Sequence, residues 1–141
     1  ADLDNFKMNN DICGHLAGDQ VLRKVASLLR RTARDMDVVS RYGGEEFCII
    51  LPGTGKKESV FVGERMRRVI EVESFPGESH LPLGRLTISL GIASFPADGV
   101  TANELIHASD LALYQAKAMG RNRLVLFEPS LEGKALPALR G

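Results

Sequence analysis

Apolar residues recur at helical spacing in three stretches of the chain, and each stretch predicts an amphipathic helix. The first runs from Gly18 to about Arg34 and the second from about Lys56 to Val72. The third begins near Thr101, which with Glu104 has the spacing of a capping box, and Gly120 can end it. The apolar residues that define these helices are Val21, Leu22, Val25, Leu28 and Leu29 in the first, Val60, Val62, Met66, Val69 and Ile70 in the second, and Leu105, Ile106, Ala112 and Leu113 in the third.

Shorter stretches have the composition or the alternation of β-strands. Val38 to Tyr42 and Phe47 to Leu51 are rich in β-forming residues and flank Gly43-Gly44, a dipeptide that readily adopts positive φ in a tight hairpin. From Leu86 to Ile92 apolar residues alternate with small or polar ones, which predicts a half-buried strand. Leu124 to Phe127 is predicted to be a short final strand.

The order of these elements predicts the fold class. The chain opens with Asp2-Leu3-Asp4 and no apolar run before it, so we expect a truncated first strand. The order β-α-β-β-α-β-α-β then gives an α+β fold, in which a mostly antiparallel central sheet with a palm-like β-α-β-β-α-β core is flanked by helices. Because a crossover makes the first two strands parallel, the first strand and the Gly43-Gly44 turn share one edge. The last helix brings Lys117 and Arg121 toward that edge.

Composition limits the classes of function. The length of 141 residues fits one domain, which we expect to span residues 1 to 128, with a flexible tail from 129 to 141. Because 18 basic and 18 acidic side chains cancel, no overall field would attract nucleic acid or anionic lipid. The two cysteines lack Cys-x-x-Cys spacing, and no stretch approaches the roughly 18 apolar residues of a membrane span. We therefore expect a cytoplasmic domain without membrane contact or nucleic-acid binding.

The Gly43-Gly44 turn is followed at once by two carboxylates, Glu45 and Glu46. Glycines leave the backbone uncovered, so a bulky ligand could approach it. Taken alone, two charges at a tight turn more often face solvent than bind anything. The Asp2-Leu3-Asp4 segment adds carboxylates at the same edge, and these would repel one another unless a cation lay between them. Their convergence favours a site for a hard cation such as Mg²⁺.

Three blocks of sequence resemble the GGDEF family of bacterial diguanylate cyclases. Gly43-Gly44-Glu45-Glu46-Phe47 is similar to the motif that names the family, in its Glu-Glu form. Residues 2 to 19 follow the family pattern in register, and residues 113 to 122 resemble its last helix and the turn after it. The resemblance covers Ala1 to about Glu128. The helix and the strand body with which the family begins are missing here, so we expect the chain to be part of a longer signalling protein, cytoplasmic or membrane-anchored, with an upstream sensor domain.

The resemblance implies an enzyme that condenses two GTP molecules into cyclic di-GMP and releases two pyrophosphates. The implied mechanism is two-metal nucleotidyl transfer across a homodimer, with two Mg²⁺ or Mn²⁺ ions per active site. Metal coordination falls to Asp2, the carbonyl of Leu3, Glu45 and Glu46. Glu46 would be a metal partner or base, and the implied catalytic residues are Glu45, Glu46 and Lys7.

The resemblance also implies how the nucleotide is held. Asn10 and Asp19 match the pair that reads guanine, with His15 lining the same pocket, although Asp19 could instead cap its helix and Asn10 could stabilise a loop. Each basic residue taken alone is more often a solvated side chain. The implied substrate-binding residues are Phe6, Lys7, Asn10, His15, Asp19, Gly43, Gly44, Lys117 and Arg121.

Arg34 and Asp37 have the spacing and place of the family's product-inhibition motif, and Arg65 stands where a supporting arginine is expected. A helix-ending arginine and a turn aspartate need no ligand, so a local structural role is the alternative. A catalytically silent module that serves as a receptor for cyclic di-GMP or GTP is the competing function. A cyclase making a different product is disfavoured by Asp19, because adenine has no ring N–H beside its exocyclic amine and so lacks the two adjacent donors that a carboxylate accepts in guanine.

Overall fold

The computed structural model describes residues 1 to 133 and contains one mixed sheet. The strand order within these residues is β2-β3-β1-β4-β5. The pairs β2–β3, β3–β1 and β1–β4 are antiparallel, and only β4–β5 is parallel. The predicted α+β class with a mostly antiparallel sheet is confirmed. The strands are β1 (Asp2–Asp4), β2 (Val38–Gly43), β3 (Glu46–Ile50), β4 (Thr87–Ile92) and β5 (Leu124–Leu126).

The helices include one that the apolar pattern did not predict. The described helices are α1 (Phe6–Cys13), α2 (His15–Thr32), α3 (Lys56–Val72) and α4 (Ala102–Ala118). The first of these contains two asparagines and an aspartate, which have low helix propensity, and it buries only Phe6 and Asn9. Gly14, at φ 87°, separates α1 from α2. As a result α2 begins three residues before the expected Gly18.

The capping box predicted for α4 is confirmed. The amide of Glu104 donates to Oγ1 of Thr101 at 3.2 Å, and the Glu104 carboxylate accepts from the amide of Thr101 at 3.2 Å. Reciprocal bonds of this kind satisfy amide groups that have no partner within the helix. The start of α4 is therefore set by its own sequence.

Strand β4 is covered on both faces, whereas its alternating pattern predicted a half-buried strand. On one face Leu90 packs in the main core with residues of α2 and α3. On the other face a side chain at Gly91 would collide with the backbone of α4 at Ser109 and Leu113. Thr87 and Ser89, on that same face, are fully buried. The small and polar positions of β4 therefore face α4 and not solvent.

The C-terminal part of the domain packs further than the composition suggested. Pro129–Leu131 form a 3₁₀ turn, and Leu131 is buried against Ala108, Leu111 and Phe127. The remainder of the predicted flexible tail, residues 134 to 141, lies outside the described residues. No helix within residues 1 to 133 has both the length and the apolar character required to cross a membrane.

Candidate active site

The short strand β1 and the turn between β2 and β3 meet at one edge of the sheet. The amide of Leu3 donates to the carbonyl of Glu45 at 3.1 Å, and the amide of Phe47 donates to the carbonyl of Ala1 at 2.8 Å. Asp2 lies opposite Glu46 in this pairing. Gly44 has φ 50°, a conformation that glycine adopts without strain. The meeting of β1 with the Gly43-Gly44 turn, predicted from strand direction, is confirmed.

Asp2 is a buried carboxylate with one unused oxygen. Its exposed fraction is 3%, and its Oδ1 has no hydrogen-bond partner. Burial is the main cause that raises the pKa of Asp2 to about 6. The Lys117 ammonium lowers this pKa, whereas the carboxylates of Glu45 and Glu46 raise it further. A buried acceptor without a partner is costly, so Oδ1 is chemically suited to a cation.

The residues at this edge fit a divalent cation. The Oδ1 atom of Asp2 is an orphaned hard oxygen donor, and the carboxylates of Glu45 and Glu46 lie close enough to raise the pKa of Asp2. Such oxygen donors are the ones that Mg²⁺ and Mn²⁺ prefer. Within residues 1 to 133 no three His, Cys, Asp or Glu side chains already stand together as a metal cluster. The donor chemistry at this edge fits such a cation, and it centres on the buried carboxylate of Asp2.

Helix α4 delivers Lys117 to the same edge. Its ammonium lies 3.5 Å from Oδ2 of Asp2 and 3.7 Å from Oδ1 of Asp4, and the residue is 4% exposed. The turn after α4 carries Arg121, whose backbone has φ 67°. The next residue, Asn122, donates its amide to Oδ2 of Asp4 at 3.0 Å. The end of α4 and the turn after it are thus attached to β1.

Asn10, His15 and Asp19 lie around the junction of α1 and α2. The Nδ2 atom of Asn10 is 3.0 Å from Nδ1 of His15. A side chain at Gly18 would collide with the Asn10 amide, so this glycine allows Asn10 to lie against α2. Asp19 follows in the body of α2, whose N-cap is Gly14. The alternative in which Asp19 caps its helix is therefore wrong.

Asp19 also lines a cavity of about 480 Å³ between α2 and the β2–β3 hairpin. The same cavity is lined by Arg23 and Arg30 of α2, by Arg41 of β2 and by Phe47 of β3. Lys7, by contrast, is exposed on α1. Of the three candidate guanine-reading residues Asp19 alone lines this cavity, and Arg41 of the same cavity donates to the carbonyl of Gly44 in the turn at 2.7 Å.

Arg34 and Asp37 form a local ion pair at the opposite end of β2. The Nη2 atom of Arg34 donates to Oδ1 of Asp37 at 2.9 Å, and the Arg34 amide donates to Oδ2 at 2.8 Å. The hydrogen bonds from Arg34 lower the pKa of Asp37, which is 3% exposed. Arg34 also donates to Oγ1 of Thr54. Arg65 lies on the exposed face of α3.

Two further sets of polar residues were not identified from the sequence. Thr87 and Ser89 donate to Asp4 at 2.8 and 2.7 Å. Their alternation with apolar residues indicated a solvent face, yet they lie opposite Asp4 and Asp2 in the β1–β4 register. The second set is a network on α3 that reaches the turn after α4 and comprises Glu64, Arg67, Glu71 and Asn122.

Comparison with known proteins identifies relatives of this chain. The family model "Diguanylate cyclase, GGDEF domain" matches residues 1–123. Diguanylate cyclase A of Treponema denticola is 38% identical over 130 residues, which cover 92% of this chain and 34% of that protein. The cyclic di-GMP phosphodiesterase NbdA of Pseudomonas aeruginosa is 37% identical over 140 residues, covering 99% of this chain and 17% of that protein. The chain thus spans about a third or less of these relatives.

A solved structure extends the likeness to the fold. The active GGEEF domain of a diguanylate cyclase from Vibrio cholerae superimposes with a TM-score of 0.79 at 32% identity. The match covers 90% of this chain and 79% of that one. Because the family model, the sheet and the Gly-Gly-Glu-Glu-Phe turn all agree, this chain belongs to the GGDEF domain family of diguanylate cyclases.

Proposed function

We propose that this domain is an active diguanylate cyclase, which condenses two GTP molecules into cyclic di-GMP with release of two pyrophosphates. The observation that carries the proposal is the Oδ1 atom of Asp2, a buried acceptor without a partner beside Glu45, Glu46 and Lys117. A buried acceptor without a partner is costly, and Lys117 faces only Oδ2 of this carboxylate, so a cation bound at Oδ1 would satisfy the remaining oxygen.

In this proposal Asp2, the carbonyl of Leu3, Glu45 and Glu46 hold two Mg²⁺ or Mn²⁺ ions. The ions, when bound, would neutralise the phosphates and lower the pKa of the attacking hydroxyl. Glu46 takes the proton of the 3′-hydroxyl as it attacks the α-phosphate of the other nucleotide. Lys7 stabilises the charge that develops on the phosphate oxygens, and Lys117 and Arg121 hold the pyrophosphate that leaves.

Guanine recognition falls to Asp19 and Asn10. The carboxylate of Asp19 accepts from the ring N–H and exocyclic amine of guanine, and the Asn10 amide forms a further hydrogen bond to the same edge of the base. His15 orients Asn10 through the 3.0 Å contact between the amide and the imidazole. Phe6 packs beside Asn10 at Gly18, and Gly43 and Gly44 leave room for the phosphates at the turn.

The product requires two such domains. A ring of two identical nucleotides forms only if each 3′-hydroxyl faces the α-phosphate of the other GTP, and one site holds one GTP. A two-fold homodimer with the Gly43-Gly44 turns facing each other meets this requirement in the simplest way. Catalysis should therefore depend on association of two chains.

Arg34, Asp37 and Arg65 are proposed to bind the product outside the active site. The guanidinium of Arg34 is half-exposed, and Arg65 is exposed on α3, so phosphate groups can reach both. Product bound here could link neighbouring domains in a non-productive orientation. An upstream sensor in the same polypeptide would set the orientation of the dimer.

The test is direct. The intact protein that carries this domain is incubated with GTP and Mg²⁺, and the products are separated by chromatography. We expect cyclic di-GMP and two equivalents of pyrophosphate, and a Glu46→Gln variant serves as the inactive control. Absence of cyclic di-GMP from an otherwise folded, GTP-binding dimer would refute the proposal.

A silent receptor module is the second candidate, and the match to a protein named as a cyclic di-GMP phosphodiesterase favours considering it. Equilibrium dialysis shows whether the domain binds cyclic di-GMP, which both functions predict, so turnover of GTP by the same preparation discriminates between them. A receptor would bind cyclic di-GMP through Arg34 and Asp37 while converting no GTP.

A further inference from the structure

Asp4 is buried behind the candidate active edge, and its interactions are with the protein. It lies two residues after Asp2 on β1 and is 1% exposed. Its Oδ1 accepts from the hydroxyl of Ser89 at 2.7 Å, and its Oδ2 accepts from the hydroxyl of Thr87 at 2.8 Å. Oδ2 also accepts from the amide of Asn122 at 3.0 Å. Three donors therefore already use the oxygens that a metal would need.

The turn that Asp4 contacts has an unusual backbone. Gly120, Arg121 and Asn122 have φ values of 115°, 67° and 49°, so three consecutive residues lie in the left-handed region. Residues other than glycine occupy this region only when their surroundings hold them there. The hydrogen bond from Asn122 to Asp4 is one such restraint on the residue next to Arg121.

A second restraint comes from α3. The side chain of Asn122 accepts from Nη1 of Arg67 at 2.9 Å and donates to the carboxylate of Glu71. Arg67 in turn binds Glu64. Asn122 is therefore held by its side chain toward α3 and by its backbone toward β1.

Asp4 also faces Lys117. The ammonium lies 3.7 Å from Oδ1 of Asp4 and 3.5 Å from Oδ2 of Asp2, and its side chain is buried. An ammonium removed from water needs compensating charge nearby. If Asp2 engages a cation, Asp4 is the carboxylate left to balance Lys117. One buried residue thus contacts both the lysine and the turn that carries Arg121.

We propose that Asp4 is a positioning residue that holds Lys117 and the Arg121 turn in place for the nucleotide phosphates, and that it is not a metal ligand. This inference rests on the proposed function, because it assumes that these two cations bind the phosphates of GTP. It assigns to the second aspartate of β1 a role different from that of the first.

Asp4→Asn tests the assignment with little change of shape. The amide group must occupy the place of one carboxylate oxygen. In the place of Oδ2 it opposes the backbone N–H of Asn122, and in the place of Oδ1 it faces the ammonium of Lys117. Either arrangement sets a donor against a donor, so one of the two phosphate-binding groups must move.

The measurement compares 3′-deoxy-GTP with 3′-deoxy-GMP by calorimetry on the intact protein. Neither nucleotide can react, because both lack the attacking hydroxyl, so binding is observed without turnover. The ratio of the two dissociation constants isolates the contribution of the β- and γ-phosphates. We expect Asp4→Asn to reduce this ratio about tenfold, as for the loss of one charge-assisted contact, with unchanged affinity for 3′-deoxy-GMP.

Asp98→Asn is the matched control. The Asp98 side chain is also only 6% exposed, and its carboxylate binds Lys56 at 2.9 Å and the amide of Ser94 at 2.8 Å. Loss of the Asp98 charge should lower the stability of the protein while leaving the ratio of the two dissociation constants unchanged. The proposal would be overturned if Asp4→Asn left the ratio of the two dissociation constants unchanged. An equal loss of affinity for both nucleotides is the same outcome, because the ratio then stays constant. Recovery of Asp4→Asn at high Mg²⁺ would instead identify Asp4 as a metal ligand, and would overturn it as well.

If Asp4→Asn does not fold, the same measurement is made on Ser89→Ala. It removes the hydroxyl that binds Oδ1, the Asp4 oxygen nearer to Lys117, but keeps the charge of Asp4. We expect the ratio to fall about two- to fivefold. Ser59→Ala removes another buried hydroxyl, one that donates to the carbonyl of Lys56, and should leave the ratio unchanged. No change in Ser89→Ala would overturn the proposal. If the unaltered protein itself does not prefer the triphosphate, the proposed function fails first.

Discussion

The buried ammonium of Lys117 lies 3.5 Å from Oδ2 of Asp2, while Oδ1 of the same carboxylate has no partner. One side of Asp2 is therefore balanced by a cation of the protein and the other side is unsatisfied. This asymmetry distinguishes Asp2 from Asp4, whose two oxygens are both hydrogen-bonded.

Asp2 should make the stability of the metal-free protein depend on pH. Its pKa is about 6 in the folded protein, so the folded state keeps a proton that the unfolded chain releases near pH 4. The free energy of unfolding should therefore fall as the pH rises from about 4 to about 6. Asp2→Asn lacks this titration. The measurement is the free energy of unfolding in urea, without divalent ions, for the unaltered protein and for Asp2→Asn between about pH 4 and about pH 6. If this free energy depended on pH in the same way in both proteins, the raised pKa of Asp2 would be contradicted.

Glu46→Gln should abolish turnover while GTP still binds. The amide keeps the shape of the side chain but removes the charge and the basic oxygen that the reaction needs. We expect kcat to fall by about 10²-fold or more. Pyrophosphate release and GTP binding are measured in parallel, with the exposed Glu128→Gln as control. Near-normal pyrophosphate release would refute the role of Glu46.

Asp19→Ser should weaken the preference for guanine. In the proposed site the Asp19 carboxylate accepts from two donors of guanine, whereas a serine hydroxyl could pair with other purines. We expect the ratio of GTP to ATP affinities to fall about tenfold to a hundredfold. Asp35→Ser, at an exposed position, is the control. If the preference for GTP survives in Asp19→Ser, another group reads the base.

Catalysis should require association of two chains. At low enzyme concentration the rate per chain should rise with protein concentration, and it should level off once dimers dominate. A dilution series with GTP and Mg²⁺ in excess, followed by light scattering at each concentration, makes the measurement. A constant rate per chain through the monomer range would show that one chain suffices.

Arg34→Ala should relieve inhibition by the product. The guanidinium is the planar donor group in the Arg34–Asp37 pair, and its loss would remove the proposed contact to the product phosphate. We expect the inhibition constant for cyclic di-GMP to rise about tenfold or more, with initial rates unchanged. Arg31→Ala, an exposed neighbour on α2, is the control. Unaltered inhibition in Arg34→Ala would mean that the product binds elsewhere.

The local elements of this protein follow from its sequence. Helix α3 runs from Lys56 to Val72 as its apolar spacing predicted, and α4 starts at the capping box of Thr101 and Glu104. The β2–β3 hairpin turns at Gly43-Gly44, because glycine allows the positive φ found at Gly44. These features depend on neighbouring residues alone, and the Gly-Gly-Glu-Glu-Phe motif that identifies the family lies within one of them.

The roles of the buried polar residues were decided by the tertiary structure. Thr87 and Ser89 alternate with apolar residues like a solvent-facing row, and only the position of α4 encloses them against Asp4. Helix α1 has little propensity of its own and forms where Phe6 and Asn9 can be buried. The burial of a charged group depends on what covers it, so only the tertiary structure showed that Asp4 has hydrogen-bond donors at both oxygens while Oδ1 of Asp2 has none.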